Sequence, residues 1–232
     1  MFSDIHGNIY AFEKVWQELK AEKCDLYCFL GDICGYYYYQ NEVIALLKEC
    51  SNLVCLLGNH DEMFLRMLND AELEKSYLEK YGKANSLLKR TITTQNLSFL
   101  QGLKSRVELK ELNMLLCHGS PWDTVNEYVY PTVSLERFES LPYEFVLLGH
   151  THHPMDKKVG KVRIVNPGSC GQPRDHNRPS YAIVDVTKGC VDFKRIDYDR
   201  EKLIKDILKH EEANAYLIEV LNRKNKENQI DH

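Results

Sequence analysis

Six of the nine histidines in this 232-residue chain fall in or beside five short segments of one grammar: an apolar run, a small residue, then ligand-type side chains. The segments are Ser3-Asp4-Ile5-His6-Gly7-Asn8, Gly31-Asp32, Gly58-Asn59-His60-Asp61, His118-Gly119 and Gly149-His150-Thr151-His152. Carboxylate, imidazole and amide oxygen are the donors that hold divalent transition metals. A lone histidine is more often a hydrogen-bonded core or surface residue. Five such groups, each with glycine beside it and an apolar strand leading in, point to metal binding. Alternation in extended chain predicts that Asp4 and His6 share one side and that His150 and His152 share another, giving two ligand pairs.

The elements that must position these residues follow from periodicity. Ile9, Phe12, Val15, Trp16 and Leu19 recur at helical spacing directly after the first segment. Leu26 to Leu30 is a short apolar run ending at Gly31-Asp32; a helix with Val43, Ile44, Leu46, Leu47 and Cys50 on one face follows. Leu53 to Leu57 is another run, ending at Gly58. This alternation predicts a layered α/β fold whose strand ends face one crevice. Residues 62–103 read as a helical insert with a break at Gly82. Arg106–Lys110 and Met114–Cys117 predict a hairpin ending at His118, and a helix is expected near Ser134–Ser140. Two further hairpins turn at Gly160 and at Lys188-Gly189. We place a single domain over 1–198, one C-terminal helix over 199–221 with two apolar patches and a face open to a partner, and a polar tail over 222–232. Tyr36 to Tyr39 form a run of four tyrosines, expected to pack against a helix, with nucleobase stacking as the other use.

The formal charge of −4 and the absence of a basic stripe disfavour a nucleic acid partner, so phosphate attraction must come from local groups or bound metal. No apolar run approaches the roughly 20 residues that span a bilayer, and no signal-peptide pattern opens the chain, so a cytoplasmic location is expected. The eight cysteines contain no C-x-x-C pair and read as reduced, mostly buried thiols.

The five segments match, in order, the D-x-H, G-D-x-x-G, G-N-H-D/E, H-G and G-H-T/S-H blocks of the calcineurin-like metallophosphoesterases, which the chain resembles from Phe2 to about Arg195. Asn166-Pro167-Gly168-Ser169-Cys170-Gly171-Gln172-Pro173-Arg174 resembles a loop of that family's small prokaryotic phosphodiesterase branch. The resemblance implies a four-layer αββα sandwich, two mixed β-sheets flanked by helices. It also implies that Asp4, His6, Asp32 and His152 hold one metal and that Asp32, Asn59, His118 and His150 hold the other, with Asp32 bridging. Two divalent transition ions are the implied cofactor, manganese foremost, with Fe, Co, Ni or Zn also suited to such mixed ligation. The implied reaction is attack of a metal-bridging hydroxide on a small phosphate ester, a phosphodiester or nucleotide-like substrate, with His60 protonating or steadying the leaving oxygen.

Arg174 and Asn8 are candidate substrate contacts. Each has a second reading, Arg174 as a structural charge and Asn8 as the cap of the first helix. The first helix N-terminus could also offer amides to an anion. His153, His176, His210 and His232 read as bystanders. Two departures from the family pattern stand out. The strand before Asp4 is reduced to Met1 and Phe2, through a native start or missing residues, so Asp4 and His6 are expected to be less firmly held. Gly35 stands where protein phosphatases carry Asp-Arg, which argues against a protein phosphatase and leaves the group that orients His60 unnamed. The alternatives are a dinucleoside polyphosphate hydrolase and, in another class, a non-catalytic scaffold. Scaffolds of this fold have lost ligands, and this chain retains them all.

Overall fold

The structure is a computed structural model, and it describes residues 1–210 and 215–223. Residues 224–232, with His232, lie outside the described residues. Helix α1 (Ile9–Ala21), strand β1 (Tyr27–Phe29), helix α2 (Gln40–Lys48) and strand β2 (Leu53–Cys55) alternate as the sequence predicts. Four helices follow: α3 (Asn59–Met67), α4 (Ala71–Tyr81), α5 (Ala84–Thr91) and α6 (Thr94–Gln101). Gly82, at φ 82°, separates α4 from α5. The remaining strands are β3 (Arg106–Leu109), β4 (Met114–Cys117), β5 (Phe145–Leu147), β6 (Pro154–Val159), β7 (Val162–Pro167), β8 (Ser180–Asp185) and β9 (Cys190–Arg195).

Strands β1 and β2 are parallel, and β8 and β9 antiparallel. Met1 and Phe2 join these pairs into one mixed sheet. Phe2 bridges Phe29 in parallel, and Met1 exchanges backbone hydrogen bonds with Ala182. The second sheet has the order β3-β4-β5-β7-β6, parallel at its centre and antiparallel at both edges.

Side-chain alternation explains the layering. Cys28, Leu30, Met1 and Ala182 from the first sheet pack with Met114, Leu116, Phe145, Leu147 and Val165 from the second, forming the core between the sheets. The alternate residues Phe2, Tyr27 and Phe29 face the helices and pack with Phe12, Val15, Trp16, Val43, Ile44 and Phe64. On the far side of the second sheet, Leu115, Cys117, Val146 and Ile164 are covered by Val129, Leu135 and Phe138. The outer layer over those residues is irregular chain with one 3-10 turn, Glu136–Phe138, where a helix over Ser134–Ser140 was expected. Pro142 and the short apolar run leave room for only that turn.

The expected single C-terminal helix is instead two, α7 (Arg200–His210) and α8 (Ala215–Leu221). The Arg200 guanidinium donates to the Leu221 carbonyl at 2.9 Å. One straight helix would hold these residues roughly 30 Å apart at 1.5 Å per residue. The pair is therefore antiparallel, and Leu203, Ile207, Leu217 and Leu221 meet in one cluster with Tyr36 and Tyr37. The tyrosine run is the strip on which this pair docks. Tyr39 and Tyr10 both donate to Asp206 at 2.7 Å, and the Tyr38 ring lies 4.6 Å from that of His210. Of the two apolar patches, Leu203, Ile207, Leu217, Val220 and Leu221 are thus buried from within, whereas Leu208 and Tyr216 are exposed. All eight cysteines are unpaired; Cys28, Cys34, Cys117 and Cys170 are buried. Among the described residues no helix is long and apolar enough to cross a membrane.

Candidate metal centre

Every segment singled out in the sequence ends at the same edge of the two sheets, past the C-terminal ends of Met1-Phe2, β1, β2, β4 and β5. The chain turns there in an uncommon way. Asp4, His6, Asp32, His150 and His152 all have positive φ, between 51° and 68°. Left-handed backbone is costly for residues with a Cβ and persists only where surrounding bonds fix it. Those bonds are present. Asp4 N–H donates to Gly31 O at 2.9 Å, and the N–H groups of Ile5 and His6 both donate to Asp32 O at 2.9 and 3.0 Å. Ser169 Oγ and Gly171 N–H donate to Asp4 O at 2.8 and 2.9 Å. The Asn166–Arg174 loop thus ties down Asp4, and the loose hold expected from the short first strand is not found.

Left-handed turns also replace the extended alternation that paired Asp4 with His6 and His150 with His152. Two clusters result: Asp4, His6, Asp32 and His152, and Asp32, His118 and His150. The donor atoms within each lie within 4.8 Å of one another. His150 and His152 part between them. Asn59 joins the second cluster, its Oδ1 3.1 Å from His118 Nε2. Each of the seven residues implied as ligands is therefore in one cluster, and Asp32 is in both.

The histidine tautomers are fixed from behind. Carbonyls only accept, so the ring nitrogens facing them carry the protons. His6 Nδ1 donates to Cys34 O at 2.8 Å, His118 Nδ1 to Leu30 O at 2.6 Å and His152 Nδ1 to Gln172 O at 2.6 Å; His150 Nε2 donates to Asn126 O at 3.1 Å. Their other nitrogens face inward, each ring oriented in the manner of a metal ligand with a carbonyl behind it. Inside, the inward-facing atoms crowd one another. His6 Nε2 and His152 Nε2 are 3.1 Å apart; His118 Nε2 is 3.3 Å from Asp32 Oδ2; His152 Nε2 is 3.3 Å from Asp4 Oδ1. Asp4 Oδ1, Asp4 Oδ2 and Asp32 Oδ2 are buried without a hydrogen-bond partner. Buried acceptors converging in this way fit divalent cations, whose charge would offset the cost of burying them.

The same crowding sets the protonation of the metal-free site. Burial pushes His60 and His150 down to about 4 despite the Asp32 charge, and lowers His6 strongly. Burial would lower His118 as well, but the Asp32 carboxylate overrides it and holds the ring at about 9. Asp4 is held at about 2, burial being outweighed by His152.

His60 is oriented by rings. Its ring packs edge-on to His6 at 4.9 Å and to Tyr81 at 4.9 Å, and lies 5.0 Å from Tyr36. Gly35 makes this possible, since at φ 111° a Cβ there would come within 2.8 Å of His6 Nδ1 and 2.9 Å of His60 Nδ1.

Asp61 was overlooked in the sequence. Its buried carboxylate accepts the N–H groups of Asp32, Cys34 and Gly58 at 3.0, 2.8 and 3.0 Å, clamping the Asp32 turn to the start of α3. Burial and the neighbouring Asp32 raise it to about 6 against those bonds. Its place in Gly58-Asn59-His60-Asp61, at the third position of a helix, was the available signal. Gly58 must lack a side chain, because a Cβ there would collide with Asp32.

Arg174 is half-buried near Asp4, among Tyr36, Tyr128 and Tyr216. Asn8, the other candidate substrate contact, is fully buried and fully engaged. Its Oδ1 accepts Ala11 N–H at 3.1 Å, capping α1, while Nδ2 donates to Gly171 O at 2.8 Å and Tyr198 Oη at 3.2 Å. This is the cap reading, and it leaves neither Asn8 nor the capped helix amides for an anion.

The geometry agrees with the comparisons to known proteins. The calcineurin-like phosphoesterase superfamily domain matches residues 1–189. An uncharacterised protein of Methanocaldococcus jannaschii is 30% identical over 230 residues, 90% of this chain and 91% of that protein. A metallophosphoesterase of Sphaerobacter thermophilus superposes with a TM-score of 0.80 at 24% identity, covering 95% of this chain and 97% of that one. A protein of Pyrococcus horikoshii OT3 gives 0.79 at 22% identity, covering 95% of each. The chain belongs to the calcineurin-like phosphoesterase superfamily, as a hydrolase of phosphate esters.

Proposed function

We propose that the two clusters hold two divalent ions, manganese foremost, and that the protein hydrolyses a small phosphodiester or nucleotide-like ester. The observation that carries this reading is the pair of buried carboxylates, Asp4 and Asp32, whose inward oxygens have no hydrogen-bond partner and which gather with His6, His118, His150 and His152 into two groups with Asp32 common to both. Bound there, the ions supply a nucleophile from water near neutral pH and positive charge for the phosphate oxygens.

The chain's own residues do the rest. Asp32 Oδ1 accepts His60 N–H at 2.8 Å, which orients the carboxylate so that Oδ2 lies 3.7 Å from His6 Nε2 and 3.3 Å from His118 Nε2, facing both clusters. Asn59 contributes a neutral oxygen, which limits the negative charge set against an anionic substrate. His60, neutral in its buried setting, donates a hydrogen bond to the leaving oxygen, and the rings around it exclude competing water. Arg174 binds a non-bridging phosphate oxygen, a role that its charge and its place near Asp4 suit.

Manganese-dependent hydrolysis of bis(p-nitrophenyl) phosphate tests this. Asn59→Ala and His118→Ala are expected to lower turnover at least about a hundredfold, in the range seen when groups acting on transition-state charge are removed. Full activity in both variants would overturn the proposal.

A further inference from the structure

His60 is held differently from the histidines of the two clusters. His6, His118, His150 and His152 each donate to a backbone carbonyl behind the ring. His60 Nδ1 is buried and has no hydrogen-bond partner among the described residues. A histidine is ordinarily aimed by the bond that its rear nitrogen makes. Without that bond, packing is left to fix the ring. Three rings supply it: His6 and Tyr81, both edge-on at 4.9 Å, and Tyr36 at 5.0 Å.

The three are not equivalent. His6 belongs to the first cluster, and Tyr36 to the strip on which α7 and α8 dock; both are buried. Tyr81 is in neither metal cluster. It is the last residue of α4, in the run of helices between β2 and β3, and Gly82 at φ 82° stops the helix there. Its ring crosses that of Tyr36 at 81° with centroids 5.9 Å apart, so His60, Tyr36 and Tyr81 pack as a mutual trio. Edge-on rings prefer a geometry as well as a contact area, so they resist rotation of the imidazole as well as fill space.

We propose that Tyr81 is a positioning residue: its ring holds the His60 imidazole with Nε2 toward the leaving oxygen, in place of the hydrogen bond that Nδ1 lacks. This rests on the phosphoesterase reading and on the part of His60 in it. In that reaction an oxygen from water bonds to phosphorus, the P–O bond to the leaving group breaks with its electron pair on the leaving oxygen, and the His60 N–H donates to that oxygen. Misplacing a catalytic group by about 1 Å can cost about a hundredfold in rate. The loss is greatest where the leaving oxygen is most basic.

The test uses full-length, manganese-loaded protein and two diesters, methyl p-nitrophenyl phosphate and methyl phenyl phosphate, whose leaving groups share one ring. Phenolate is the more basic and depends more on a donor. Tyr81 is only partly buried, so Tyr81→Leu leaves the core closed. It is expected to lower kcat at least about tenfold for the phenyl ester and severalfold less for the p-nitrophenyl ester. KM should stay within about twofold. Tyr81→Phe, which keeps the ring, should recover most of the loss. In a His60→Ala background Tyr81→Leu should cost nothing further. Apart from turnover, the His60 ring C–H resonance of metal-free protein, identified by its absence from His60→Ala, should shift in Tyr81→Leu and hold its place in Tyr81→Phe. An unchanged kcat for the phenyl ester, an equal loss for both esters, or the same loss in the His60→Ala background would overturn the positioning role with the phosphoesterase reading intact. No turnover of either ester by the wild-type protein would overturn both.

Discussion

At the scale of single residues, the site is governed by where its nitrogens and oxygens point. Four histidines are turned inward by carbonyls behind them, and Asp32 Oδ2 faces both clusters while Oδ1 accepts His60 N–H. In the metal-free protein His118 is held at about 9 by Asp32, so it carries a proton at pH 7.5. A ligand must be neutral to bind, so metal and proton compete for Nε2. Adding manganese to metal-free protein at pH 7.5 should therefore release a proton from this ring besides that lost by metal-bound water, and His118→Ala should lower the total release by close to one. Calorimetry in buffers of different ionisation heat reads it, and a heat independent of buffer would contradict the assignment. The residues that gather in the two clusters were legible, because D-x-H, G-N-H-D and G-H-T-H are local patterns. The left-handed conformations that aim Asp4 and His6 were not, because they depend on hydrogen bonds to Asp32 O and to Ser169 and Gly171. Nor was the clamp of Asp61, whose three donors, Asp32, Cys34 and Gly58, come from two separate segments.

Among the elements, periodicity was sound wherever one face packs on a sheet. α1 buries Phe12, Val15, Trp16 and Leu19, as its spacing requires, and strand alternation sends Met114 and Leu116 one way and Leu115 and Cys117 the other. It failed at the C-terminus. The apolar patches on α7 and α8 fit one continuous periodic stripe equally well, and only the reach of Arg200 to Leu221 shows the chain doubling back. The docking of this pair is specific: Leu203 is fully buried against Tyr36 and Tyr37, and Asp206 accepts from two tyrosines. Leu203→Ala should cost about 2–5 kcal/mol, the range for deleting a buried leucine side chain. Urea unfolding measures it. A loss below about 0.5 kcal/mol, typical of surface substitutions, would mean that the pair is not part of the cooperative core.

For the molecule as a whole, two mixed sheets face each other so that five strand ends open on one edge, and side chains over a hundred residues apart meet there. Helix α4 brings Tyr81 to the same opening, against His60. Fold and cluster are thus one design: the sheets fix the two clusters, and the added helix packs on His60 beside them. The two-cluster arrangement is tested most directly by elemental analysis of metal-free protein incubated with excess manganese and freed of unbound ion. About two ions per wild-type chain are expected, and about one in His118→Ala, which empties the second cluster and leaves Asp4, His6, Asp32 and His152 in place. Fewer than one ion per wild-type chain, with no ester turnover, would contradict a dinuclear hydrolase.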